Sequence, residues 1–118
     1  MFFVELIIRG DQDVFGIQIA GGNERLMASC AAVLEQECSV DFIDLNLGCP
    51  LDLVCNKGAG SALMVRPRKL EKVVRAMAAN VTVPVGLKIR TGWSNGDPTA
   101  HKLLPMARLY NTVYRCDA

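Results

Sequence analysis

Val40-Asp41-Phe42-Ile43-Asp44-Leu45-Asn46 runs directly into Leu47-Gly48-Cys49-Pro50. The first part is a short apolar run rich in β-formers, of the length of a strand rather than a helix. Gly48 then permits a sharp turn, and Pro50 prevents the strand from continuing. A strand buried on both faces and ending in Gly-Cys-Pro places a thiol at the mouth of a sheet, where a substrate can reach it. The residues alone leave two readings of Cys49: a reactive group, or a small buried apolar side chain.

Working outward, two further segments have the same character. Upstream, Val14-Phe15-Gly16-Ile17-Gln18-Ile19-Ala20 reads as a strand closed by Gly21-Gly22. Asn23 can cap a following helix whose apolar positions are Leu26, Cys30, Val33 and Leu34. Downstream of Pro50 a long glycine-rich, mobile loop is expected through Gly58 and Gly60. A helix then starts near Pro67, with Leu70, Val73, Val74 and Met77 on one face.

The third strand spans Val83 to Arg90. Asp97-Pro98 opens a third helical segment, with Ala100, Leu103, Leu104 and Ala107 inward and Pro105 kinking or ending it. Thr112-Val113-Tyr114 begins a fourth strand. Alternating strands and helices define a parallel α/β fold, either an open doubly wound sheet or part of a (β/α)₈ barrel. Polar or reactive groups stand near the C-terminal ends of three strands: Gln18, then Asn46 and Cys49, then Lys88 and Arg90. Barrel enzymes draw their chemistry from those ends, which favours the barrel.

Composition narrows the function. With 118 residues the chain is one domain at most, and its 51% hydrophobic content argues for a folded, core-forming protein rather than a disordered one. Thirteen basic against twelve acidic residues leave no global nucleic-acid footprint, so any RNA contact must be local. The candidate is Arg66 to Arg75, where Arg66, Arg68, Lys69, Lys72 and Arg75 face one acid, Glu71; a solvated helix face is the alternative. Five cysteines without a Cys-x-x-Cys pair, and a single histidine, argue against a metal site and for a reducing compartment. Met1 to Arg9, short and broken by Glu5, does not read as a signal peptide, and no apolar run approaches membrane-spanning length. Lys88 and Arg90, two apart on a strand, point to one face, where two cations call for an anionic or polar ligand unless both reach solvent. Asn56 to Ser61 lacks the spacing of a phosphate loop.

Four ordered blocks then resemble the tRNA-dihydrouridine synthases. They are Phe15 to Gly21, Asp44 to Pro50, Lys57-Gly58-Ala59-Gly60-Ser61-Ala62-Leu63-Met64, and Leu87-Lys88-Ile89-Arg90-Thr91-Gly92-Trp93. Pro50-Leu51-Asp52-Leu53-Val54 is most similar to the eukaryotic type-3 branch. The resemblance covers residues 12 to 105 and leaves 106 to 118 unmatched. It implies an incomplete FMN-binding domain over residues 1–118, built as a partial TIM (β/α)₈ barrel of about three to four β/α units.

It also implies that FMN, reduced by NADPH or NADH, reduces uridine in tRNA to 5,6-dihydrouridine. Cys49 then matches the proton donor, Asn46 and Arg90 the residues that hold the uracil, and Gln18 and Lys88 the FMN contacts. A free thiol with a pKa of roughly 8.5 is mostly protonated near neutrality, as a donor must be. The family's first strand, later strands, RNA-binding domain and zinc fingers are not matched, so the chain reads as the N-terminal part of a catalytic barrel. A cytoplasmic setting, also nuclear, is expected, with no membrane and no metal. The alternatives are an inactive truncated fragment, or another FMN barrel such as dihydroorotate dehydrogenase, against which Gly48 and the block from Gly58 to Met64 argue.

Overall fold

The computed structural model describes residues 3–7, 14–94, 96–109 and 113–116. Five strands form one sheet: β1 (Phe3–Ile7), β2 (Gly16–Ala20), β3 (Phe42–Asn46), β4 (Val85–Ile89) and a last strand, Val113–Cys116. Their spatial order follows the chain order. From β2 onward, neighbouring strands are parallel, whereas β1 runs antiparallel along the outer edge of β2. Among the described residues the sheet is open. The fourth strand expected at Val113 is present and parallel to β4; Thr112, Asp117 and Ala118 lie outside the described residues, as do Met1, Phe2, Ile8 and Arg9.

Register gives the sheet two unlike faces. Ile17, Ile43 and Val85 stand side by side, as do Ile19, Leu45 and Leu87. These aliphatic ranks are buried with Met27 and Ala31 of helix α1 (Glu24–Glu37) and with Leu70, Val73, Val74 and Met77 of a second long helix, Pro67–Asn80. On the other face Gln18 stands beside Asp44, and Asn46 beside Lys88. Helices therefore cover one face, and the other carries polar and charged groups.

Local sequence explains the helix starts. Asn23 accepts from the backbone N–H groups of Arg25 and Leu26 through its side-chain oxygen, both at 3.0 Å. Pro67 opens the second long helix, where its missing N–H costs nothing. The inward face of that helix is the one its spacing predicts. In α1 the expectation is half corrected: Met27, Ala28 and Ala31 are buried, whereas Leu26 and Val33 are 49% and 55% exposed. Two adjoining stripes of α1 are apolar, so periodicity did not select between them, and the alanines allow the closer approach.

Two segments differ from the sequence reading. The stretch after Pro50 contains a helical turn, α2 (Asp52–Cys55), and a 3₁₀ turn at Gly60–Leu63. Ala59 to Met64 is buried, so it packs as part of the core rather than as a mobile loop. With α2 counted, the Pro67–Asn80 helix is α3. Asp97-Pro98 does not open a helix; it pairs antiparallel with Gly92–Ser94, and these two short strands are β5 (Gly92–Ser94) and β6 (Asp97–Pro98). A 3₁₀ turn at Ala100–Leu103 leads into α4 (Leu104–Leu109), which makes Val113–Cys116 β7. Pro105 lies in the first turn of α4 and so begins that helix rather than ending it. Leu103 is buried, Leu104 is 38% exposed, and the side chain of Ala107 lies outside the described residues.

Candidate functional site

β3 ends at Asn46, and the chain turns back at once because Asn46 holds it. The side-chain Oδ1 accepts from the backbone N–H of Gly48 at 3.0 Å and of Cys49 at 2.9 Å. Its Nδ2 donates to Gln18 Oε1 on the neighbouring strand at 2.6 Å. Leu47 N–H donates to the Lys88 carbonyl at 2.8 Å, which pins the other side of the turn to β4. The thiol of Cys49 is thus carried by a segment tied to two adjacent strands.

A second set of contacts fixes Cys49 from the far side. Its carbonyl accepts from the Ser61 N–H at 2.9 Å and lies 3.6 Å from the Cys55 sulfur. Cys55 Sγ is also 3.5 Å from Ser61 Oγ. Gly60 has φ of +59°, and a Cβ there would lie 2.6 Å from the Cys49 carbonyl oxygen. Sequence reading did not assign Gly60 or Ser61 a part in the site. The available signal was the run of small residues from Gly58 to Ala62, which permits such close packing.

Gln18, Asn46 and Cys49 line one cavity of about 190 Å³ with Ile19, Ala20, Leu51 and Val54. Its walls are mainly apolar, with a few polar groups converging on it, the usual character of a small-molecule site. Gln18 is 1% exposed, and its Nε2 has no hydrogen-bond partner among the described residues. A buried donor in that state costs stability unless something accepts from it.

Lys88 and Arg90 are half-buried and do not line this cavity. Lys88 nevertheless stands beside Asn46 in register, on the polar face. Asp44, also on that face and 1% exposed, is a buried carboxylate that sequence reading passed over. Its same-face spacing from Asn46 was the available clue. Among the described residues there is no cluster of three or more metal-ligating side chains, and no helix is long and apolar enough to cross a membrane.

A parallel α/β sheet with polar side chains and a thiol gathered beyond its strand ends has the architecture of an α/β enzyme site. Comparison with known proteins makes this specific. The family model described as "Dihydrouridine synthase (Dus)" matches residues 3–110, and the chain belongs to that family. Among its relatives, the NAD(P)(+) tRNA-dihydrouridine(47) synthase-like protein of Homo sapiens is 45% identical over 97 residues. That alignment takes in 82% of this chain and 15% of the human protein. The Xenopus tropicalis counterpart is 44% identical with the same coverage. The NAD(P)(+) tRNA-dihydrouridine(47) synthase of Cryptococcus neoformans is 46% identical over 99 residues, with 80% and 14% covered. The chain therefore spans about 15% of the length of the curated relatives it matches.

Proposed function

We propose that this chain supplies the proton-donating part of an FMN-dependent tRNA-dihydrouridine synthase, within a barrel of (β/α)₈ type whose strands include β2, β3, β4 and β7. The enzyme reduces uridine in tRNA to 5,6-dihydrouridine at the expense of NADPH or NADH, in the cytoplasm or nucleus. One observation carries the proposal: Gln18, Asn46 and Cys49 meet at a single cavity along β2 and the end of β3. Family membership supplies the chemistry to which that geometry is matched.

The cavity suits a flavin. The unpaired Gln18 Nε2 is a buried donor placed for a carbonyl or ring nitrogen, and the apolar walls suit a flat ring system. Gln18 and Lys88 would hold the cofactor, the lysine charge favouring an anionic reduced ring. When bound, reduced FMN supplies the hydride for C6 of the uracil. Cys49 Sγ gives its proton to C5, and the turn set by Asn46 keeps that sulfur at the cavity wall. Asn46 Nδ2 has two hydrogens, of which one goes to Gln18 and the other is available to a uracil carbonyl. Arg90, just past the end of β4, completes the hold on the base. The uridine must leave its stack to be reached, which requires an open mouth to the cavity.

The test uses the full-length protein and reads dihydrouridine in tRNA by mass spectrometry. Cys49→Ala is expected to abolish reduction while flavin is retained. Cys55→Ala is expected to spare most of it, because the Ser61 N–H still holds the Cys49 carbonyl. Equal losses in both variants would remove Cys49 from the role. Oxidation of dihydroorotate without reduction of tRNA would replace the whole reading.

A further inference from the structure

The basic segment preceding and opening α3 is not a uniform solvated face. A Cβ built on Gly58 would lie 2.6 Å from Lys69 Nζ and 3.9 Å from an Arg66 guanidinium nitrogen, so both cationic heads converge on one backbone position. That position adjoins the segment that packs on Cys49. Gly58 lies two residues before Gly60, which packs on Cys49, and a Cβ on Gly22, just beyond β2, would lie 2.2 Å from the Gly58 carbonyl oxygen. Lys72 and Arg75 stand farther along the exposed side of the helix.

This arrangement is unfavourable without a ligand. Two like charges directed at one spot repel each other. The first turn of α3 contains no acidic residue, and its helix dipole disfavours cations there. Among the described residues no carboxylate is seen paired with Arg66 or Lys69. An anion meeting the two cationic heads from the solvent side would offset both costs; Gly58 itself is buried, with the Lys69 ammonium in the space a side chain would take.

Resting on the tRNA substrate proposed above, we infer that Arg66 and Lys69 form a phosphodiester clamp that holds the RNA backbone beside the flipped uridine. Binding of full-length protein to tRNA, measured by anisotropy across a KCl series without NAD(P)H, tests it. Two lost phosphate contacts should lower the log–log salt slope by roughly 1.4 in R66Q/K69Q, at about 0.7 per single-strand contact. The slope should hold in K72Q/R75Q and in the charge-conserving R66K/K69R. Flavin content should be unchanged in each.

Should R66Q/K69Q fail to fold, acylation of wild-type Lys69, mapped by mass spectrometry, gives the answer: bound tRNA should protect it. Equal slope losses in both glutamine doubles, no loss in either, or Lys69 acylation indifferent to tRNA would overturn the clamp. So would an unchanged tRNA slope combined with lost binding to polyglutamate, which would assign the pair to an acidic protein partner. A wild-type protein that binds tRNA but forms no dihydrouridine would sink the enzymatic reading alone.

Discussion

Asn46 reaches three partners with one short side chain, and its two polar atoms do different jobs. Two backbone N–H groups are satisfied by its carbonyl oxygen, which closes the turn that presents Cys49. The amide nitrogen ties the turn to Gln18. Asn46→Ala leaves those half-buried donors unmet and should lower stability by about 1–3 kcal/mol, measured by urea unfolding. Asn46→Asp keeps the acceptor for both N–H groups but loses the donated bond, so it should keep more stability than alanine.

Gly60 makes a separable prediction. Both Gly58 and Gly60 have positive φ, which costs a non-glycine residue roughly 1–2 kcal/mol. At Gly58 the nearest obstacle to a methyl group is the flexible end of Lys69, whereas at Gly60 it is the Cys49 backbone. Gly60→Ala should therefore cut the rate of uridine reduction well beyond Gly58→Ala, with flavin content similar in the two. Of this site, Cys49 stood out at the end of an apolar run, whereas Gln18 and Asn46 were weak signals by themselves, equally suited to satisfying neighbouring backbone groups, and drew their roles from the family resemblance. The support from Gly60 and Ser61 was not legible, because small residues in a loop are equally compatible with mobility and with tight packing.

Between elements, Glu35 links α1 to the connection entering β4. One carboxylate oxygen accepts from Thr82 N–H and Thr82 Oγ1, both at 2.7 Å, and from Val83 N–H at 2.8 Å. The Thr82 hydroxyl bond, with the backbone bonds of Val83 and Thr82, holds the Glu35 carboxyl below its ordinary value of 4.5. Because the folded state favours the ionised form, this clasp stabilises the protein fully above pH 4.5 and weakens as pH falls through the lowered folded value. Glu35→Gln should reduce the melting temperature near neutrality, and its deficit relative to wild type should shrink steadily below pH 4.5. A deficit independent of pH would show that the charge is immaterial.

The clasp spans 47 residues, beyond the reach of periodicity. The same holds for the inward stripe of α1, which depends on what α1 packs against. The existence of β2, β3, β4 and β7 was legible from their apolar runs, whereas β1 was not read as a strand. The hairpin of β5 and β6 was not legible, because Asp97-Pro98 suits a helix start as well as a turn.

At the scale of the whole molecule, the two faces of the sheet determine what the chain needs around it. Ile17, Ile19, Ile43, Leu45, Val85 and Leu87 are covered by α1 and α3. The opposite face presents Gln18, Asp44, Asn46 and Lys88, of which Gln18 has an unmet buried donor. In a closed barrel that face becomes the interior, where a cofactor and further strands can satisfy it. In the described sheet, β1 and β7 each have one unpaired edge, the condition that favours pairing between chains. Expressed alone, residues 1–118 should therefore self-associate in a concentration-dependent way and retain little flavin, as seen by light scattering and absorbance near 450 nm. The full-length protein should stay dispersed and yellow under the same conditions. A monomeric, flavin-loaded 118-residue chain would show instead that β1, antiparallel and outside any barrel pattern, closes the edge well enough for the site to form without further strands.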